Sequence, residues 1–149
     1  MLESCSSVHD VVHLYRRRYA LPARVVSDRP VLSTTGTIGA VTMPPSVGAK
    51  VLDALPVPVP VVGDLRDSRW TFLVRPDCPV PMCLAAQLAE WGVTVAGQGR
   101  GIVLPGSDAG WGARWVSEPA ASDDALPGQR DIIGAAYRCG QSIPQARIG

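Results

Sequence analysis

Proline and glycine break the apolar parts of this sequence into short pieces. The chain has 14 prolines and 15 glycines among 149 residues, and its most apolar section is interrupted at Pro56, Pro58 and Pro60. A proline removes a backbone donor and a glycine favours a turn, so each piece is limited to a short strand or helix. No window reaches the roughly 18–20 apolar residues that a membrane-spanning helix needs.

The pattern within these pieces predicts one α+β domain. Trp70, Phe72 and Val74 alternate with Thr71 and Leu73, the period of a strand with two different faces. Helical spacing of apolar residues predicts four helices, over about 8–19, after Pro44-Pro45, from Asp77 to just before Gly92, and over about 130–138. We expect a mostly antiparallel sheet of about five to seven short strands, with three or four helices mainly on one side.

The length of the chain favours a single core. Residues 118–129 are polar and rich in breakers, which is typical of a linker. The sequence therefore predicts an α+β core domain over 1–117, a mobile linker over 118–129, and a C-terminal helix and tail over 130–149. The short runs over 24–26 and 31–43, separated by turn residues, predict a small meander.

Charge is informative only locally, because the net charge of +1 gives no global field. A basic cluster lies at the end of the first predicted helix, where cations also complement the helix dipole. Its arginines could neutralise phosphates while a tyrosine stacks on a base. The predicted site for a nucleic acid or a protein partner consists of Tyr15, Arg16, Arg17, Arg18, Tyr19 and Arg24.

The segment GVTVAGQGRGIVLPG, residues 92–106, is the most motif-like part of the chain. A phosphate-binding glycine loop runs from a strand into a helix, whose N-terminal amides face the anion. Here the loop is followed by a predicted strand. We therefore expect a hairpin bend with left-handed glycines at Gly97, Gly99 and Gly101, and no cofactor.

The histidines and cysteines define the candidate metal ligands. His9 and His13 lie one turn apart on the first helix and could share an ion, with Cys78 and Cys83 as the remaining ligands. The ordinary interpretation is solvent-facing histidines and buried thiols, so we expect no metal site. Cys78 near a helix start could be an activated thiol, but the sequence has no recognised catalytic motif, and we predict no catalytic residues.

Targeting signals give a further expectation. The basic cluster follows the short apolar run at the N-terminus, the reverse of the order in a secretion signal. We therefore expect a cytoplasmic protein with reduced thiols.

The order of four segments resembles a family of small, uncharacterised actinobacterial proteins. The segments are IGAVTMP (38–44), SRWTFLVRP (68–76), GVTVAGQGRGIVLPG (92–106) and ARWV (113–116). The resemblance covers roughly residues 15–117 and implies neither an activity nor site residues.

Together these features predict a non-catalytic cytoplasmic binding or regulatory protein that acts through macromolecular contacts. Two alternatives remain open at this point. One is a small enzyme or metal-binding protein that uses its cysteines and histidines. The other is an obligate subunit of a larger complex, in which Trp70 or Trp115 is covered by another chain. The partner is a protein or a nucleic acid, with a second copy of the chain also open, and no membrane contact is expected.

Overall fold

The computed structural model describes residues 2–64, 68–106, 112–119 and 126–142. This part of the chain forms four helices and eight strands. Their order is α1 (Val8–Arg18), β1 (Arg24–Val26), β2 (Arg29–Ser33), β3 (Gly39–Met43), α2 (Pro45–Ala54), β4 (Val61–Gly63), β5 (Trp70–Val74), α3 (Met82–Glu90), β6 (Thr94–Val95), β7 (Gly101–Val103), β8 (Arg114–Ser117) and α4 (Gln129–Ser142). Among the described residues, no helix combines the length and the hydropathy needed to cross a membrane.

The strands form two antiparallel sheets. One sheet has three strands in the order β1-β2-β7, and the other has five in the order β6-β3-β5-β4-β8. The predicted α+β class, the antiparallel pairing and the number of helices are confirmed. The predicted meander is wrong beyond its first hairpin, because β2 and β3 belong to different sheets.

The five-stranded sheet buries residues on both of its faces. Phe72 and Val74 lie in one cluster with apolar side chains of α2, α3 and α4, whereas Leu73 lies in a second cluster with side chains of α1 and the three-stranded sheet. Phe72, Leu73 and Val74 are each fully buried. The alternation predicted for this strand is therefore confirmed, and three of the four described helices lie on one side of the sheet.

Local signals place helix α1 where the sequence predicts it. Ser7 is the N-cap, and its Oγ accepts from Asp10 N at 3.2 Å. The Asp10 carboxylate turns back to Ser6, where it accepts from the backbone N at 3.0 Å and from Oγ at 2.8 Å. These hydrogen bonds hold the pKa of Asp10 below its ordinary value of 3.8. Asp10 therefore stabilises the fold above that value and stops doing so as the pH falls through its lowered pKa.

Helix α3 begins later than the sequence predicts. It starts at Met82 with Pro81 as N-cap, because Pro79 and Pro81 disfavour helical backbone at the residues before them. The Asp77 carboxylate instead accepts from Arg130 N at 3.1 Å, in the first turn of α4. Asp77 therefore caps a helix, but not the one that follows it in the sequence.

The glycine-rich segment is a crossover and not a hairpin. β6 pairs with β3 in the five-stranded sheet, whereas β7 pairs with β2 in the three-stranded sheet. Of the three glycines predicted to be left-handed, only Gly99 has a positive φ, of 81°. The prediction was wrong because strand-like runs on either side of a glycine bend do not by themselves show that the two strands pair.

Helix α4 belongs to the core. Ile132, Ile133 and Ala136 lie in the same buried cluster as Phe72. The chain just before α4 is tied to the end of β5, since Arg75 N donates to Pro127 O and Gln129 N donates to Arg75 O, both at 2.8 Å. Residues 120–125 of the predicted linker and residues 143–149 of the predicted tail lie outside the described residues.

Candidate functional site

The predicted basic cluster lies where α1 ends and β1 begins. Arg16, Arg17 and Arg18 form the last turn of α1, and successive residues of a helix point about 100° apart, so the three guanidinium groups fan out around its end. Arg24 is the first residue of β1. All four side chains are exposed. We call these four arginines the basic surface.

A left-handed residue turns the chain back so that β1 lies beside α1. Ala20 has φ 54°, and Leu21 N donates to Tyr15 O at 3.0 Å, closing the end of the helix. Arg16 Nε then donates to Ala23 O at 2.6 Å, which ties the helix end to the start of the strand. The turn therefore brings Arg24 to the same part of the molecule as the three helical arginines.

Ala20→Gly is expected to raise the free energy of unfolding by about 0.5–1 kcal/mol, because glycine adopts the left-handed backbone without a Cβ clash. Urea denaturation measures this change. The matched control is Ala49→Gly, at an exposed position within α2, which should lower stability by about 1 kcal/mol. A loss of stability at both positions would contradict the proposed role of Ala20.

Tyr15 does not belong to the exposed surface that the sequence predicts. Its side chain is 0% exposed, its hydroxyl donates to Pro105 O, and the same hydroxyl accepts from Trp115 Nε1 at 3.1 Å. It therefore cannot stack on a base in this structure. Tyr19 is half-buried, its ring lies 6.5 Å from that of Tyr15, and the Arg18 guanidinium lies 5.8 Å from the Tyr19 ring centroid.

The described neighbours of the basic surface do not neutralise its charge. Among the described residues, no carboxylate lies within 4.0 Å of the guanidinium groups of Arg16, Arg17, Arg18 or Arg24. The side chain of Arg24 is held by Ser33, to whose Oγ it donates at 3.1 Å. This part of the molecule therefore presents positive charge to solvent.

The candidate metal ligands are not brought together. His9 and His13 are exposed on α1, whereas Cys83 is exposed on α3 and the carbonyl of Cys78 accepts from Gln129 Nε2 at 3.0 Å. Within the described ranges, no three His, Cys, Asp or Glu side chains are grouped closely enough to hold an ion. No two cysteines in the described part of the chain form a disulfide bond.

Two backbone amides of the glycine-rich crossover are hydrogen-bonded within the protein itself. Thr34 is 3% exposed, and its Oγ1 donates to Gly97 O at 2.6 Å and accepts from Arg100 N at 2.9 Å. Gly99 N donates to Thr34 O at 2.8 Å. Two backbone donors that a phosphate would need are thus already bonded to one buried threonine.

The strand face that carries Trp70 and Phe72 is part of the core. Phe72 is fully buried, and Trp70 is half-buried against the same cluster. Sequence reasoning also missed a large cleft between the two sheets, about 1050 Å³ in volume. Its only trace in the sequence is a threonine on each of two otherwise apolar strands, Thr42 and Thr71.

The fold and the site define an α+β protein with two antiparallel sheets, a cluster of four exposed arginines and a cleft between the sheets. Comparisons with protein families, with curated proteins and with solved structures find no match to this chain.

Proposed function

We propose that this is a non-catalytic cytoplasmic binding protein whose basic surface holds the phosphate backbone of a nucleic acid. The observation that carries the proposal is the set of four exposed arginines on α1 and β1 without a carboxylate partner among the described residues. An exposed cation gains most from a polyanion, because binding releases the counterions condensed along the phosphates.

Arginine chemistry supports phosphate as the target. The guanidinium group is always charged and presents a planar fork of donors that matches phosphate oxygens. Two of the four arginines are already oriented, since Arg16 donates to Ala23 O and Arg24 donates to Ser33 Oγ. Less side-chain entropy is lost when an oriented donor binds its target.

The same geometry supports binding without sequence preference. Tyr15 is buried and Tyr19 is half-buried, so the basic surface lacks the open aromatic ring that stacks on a base. Contacts to phosphate position a nucleic acid but do not read its sequence. With four phosphate contacts on a single strand, affinity should fall by roughly 50-fold between 50 and 200 mM salt.

The proposal predicts that Arg17→Gln/Arg18→Gln weakens binding of a fluorescein-labelled single-stranded 20-mer by roughly tenfold or more at 50 mM salt. The slope of log affinity against log salt should become shallower by about 1.4, since each phosphate contact on a single strand contributes about 0.7. Fluorescence anisotropy measures both quantities. Arg16 and Arg24 stay unchanged because their side chains also hold the local structure.

The matched control removes the same charge elsewhere. Arg130→Gln/Arg138→Gln changes two exposed arginines of α4, which packs on the opposite side of the five-stranded sheet from α1. It should leave the affinity and the salt slope unchanged. Equal losses in both double variants would refute the basic surface as the site. Binding of polyglutamate as tight as that of the 20-mer would identify acidic protein as the partner and overturn the nucleic-acid proposal.

A further inference from the structure

A cleft of about 1050 Å³ opens between the two sheets. Its floor is the face of the five-stranded sheet that carries Thr42, Thr71 and Val62. Ile102 and Leu104 line it from the side of the three-stranded sheet. The volume of about 1050 Å³ is slightly above the usual range of roughly 300–1,000 Å³ for small-molecule sites, so the cleft has room for an organic ligand.

Two neighbouring threonines lie on the floor of this cleft. Thr42 on β3 lies directly opposite Thr71 on β5, and both line the cleft. Residues in register on adjacent antiparallel strands share a face, so their two hydroxyl groups lie side by side. The Oγ1 atoms of Thr42 and Thr71 are 3.4 Å apart, and both residues are half-buried.

The threonines occupy only the part of this face that opens into the cleft. Farther along β5 on the same face, Leu73 is buried against α1 and the three-stranded sheet, where the core needs apolar side chains. Two paired hydroxyl groups use one donor and one acceptor between them, which leaves a further O–H and several lone pairs. The floor can therefore hydrogen-bond a polar group of a ligand whose remainder contacts apolar walls.

The charges around the cleft do not select an ion. The charged residues of the described ranges that line it are of both signs, two arginines and three carboxylates: Arg29, Arg100, Glu3, Asp28 and Asp64. The Asp64 carboxylate already accepts from Ser68 N at 2.7 Å and from Ser68 Oγ at 2.8 Å. An anion or a cation entering the cleft would meet like charge as well as opposite charge, so an uncharged ligand is favoured.

From this geometry we infer that the cleft binds a small uncharged organic molecule with an apolar body and a carbonyl or hydroxyl group. The body packs against Ile102, Leu104 and Val62, and the polar group hydrogen-bonds to Thr42 and Thr71. This site is separate from the basic surface and does not depend on the nucleic-acid proposal.

Nile red, an uncharged dye with an apolar ring system and a carbonyl group, tests the inference. Saturable binding of one dye per chain is expected, measured by the rise in dye fluorescence. Ala96 lines the cleft, and its backbone N donates to Ala40 O, which places Ala96 beside Ala40 on the neighbouring strand. Ala96→Phe should weaken binding at least tenfold, because the added ring fills part of the cleft. Thr42→Val/Thr71→Val should weaken binding roughly fivefold, as expected for one lost hydrogen bond.

The control for Ala96→Phe is Ala86→Phe, which adds the same apolar ring at an exposed position of α3 on the other side of the sheet. It should bind the dye like the wild type, and so should Arg17→Gln/Arg18→Gln. If Ala96→Phe does not fold, Ala96→Leu takes its place, with a smaller loss expected. The inference would be overturned by non-saturable binding or by equal affinity in the Ala96 and Ala86 variants. It would also be overturned if sedimentation showed one dye per dimer, because a second copy of the chain would then be part of the site.

Discussion

Gly140→Ala is expected to destabilise the protein by roughly 2 kcal/mol, although alanine is the better helix former. Gly140 lies in α4 under the ring of Trp91, and a Cβ at this position would lie within 2.6 Å of the Trp91 Cζ3 atom. Inserting a methyl group into such a contact forces the ring or the helix to move, at a cost of about 3 kcal/mol, and the gain of about 1 kcal/mol in helix propensity offsets only part of it.

Gly134→Ala in the same helix is the matched control. The nearest atom to a Cβ at Gly134 is the end of the flexible Arg138 side chain, Nη1 at 3.5 Å. The substitution should therefore stabilise the protein by up to about 1 kcal/mol. Urea denaturation of both variants measures the two changes. Stabilisation by both alanines would show that Trp91 does not pack on α4 as described.

Tyr15→Phe is expected to lower the free energy of unfolding by about 2 kcal/mol. The substitution keeps the ring but removes the hydroxyl that donates to Pro105 O and accepts from Trp115 Nε1, and each buried polar group left without its partner costs about 1–3 kcal/mol. Because Tyr15 is fully buried, the folded variant should bind the labelled 20-mer as tightly as the wild type. Denaturation and anisotropy on the same preparation measure the two effects.

Tyr137→Phe makes the same chemical change at a hydroxyl for which the structure shows no hydrogen bond to a described residue. The Tyr137 ring is half-buried and packs 5.6 Å from that of Trp91. The expected change in stability is within about 0.5 kcal/mol. If the Tyr15→Phe variant is fully folded but binds the 20-mer more weakly than the wild type, Tyr15 belongs to the binding site and its assignment to the core alone is wrong.

Sequence reasoning succeeded where the signal is local. The alternation around Phe72 placed each side chain of β5 on the correct face, and the helical spacing that predicted a helix over about 8–19 agrees with α1 at Val8–Arg18. It failed where pairing joins distant segments. Nothing near residues 101–103 indicates that their partner is β2 and not β6. A short apolar strand can pair with any open strand edge, and which edges are open depends on the position of all the other strands.

The features of the candidate site were also predictable only where the signal is local. The exposure of Arg16, Arg17 and Arg18 follows from their place in a helix whose other side is apolar. The burial of Tyr15 also had a signal, since Tyr15 follows Val8, Val11 and Val12 at helical spacing and so belongs to the apolar side. The cleft had almost no signal in the sequence, because its open space depends on how far apart the two sheets lie.

The contacts around Tyr15 have a consequence for how the chain acquires its structure during synthesis. Its hydroxyl hydrogen-bonds to residues 90 and 100 positions later in the sequence. Likewise, β2 is paired on both edges only after β7 has been synthesised. The first third of the polypeptide therefore leaves the ribosome with an apolar helix face and an open strand edge that cannot be covered until most of the chain has followed. Because folding slows as contacting residues lie farther apart in the sequence, we expect this chain to complete its fold only after most of it has been synthesised.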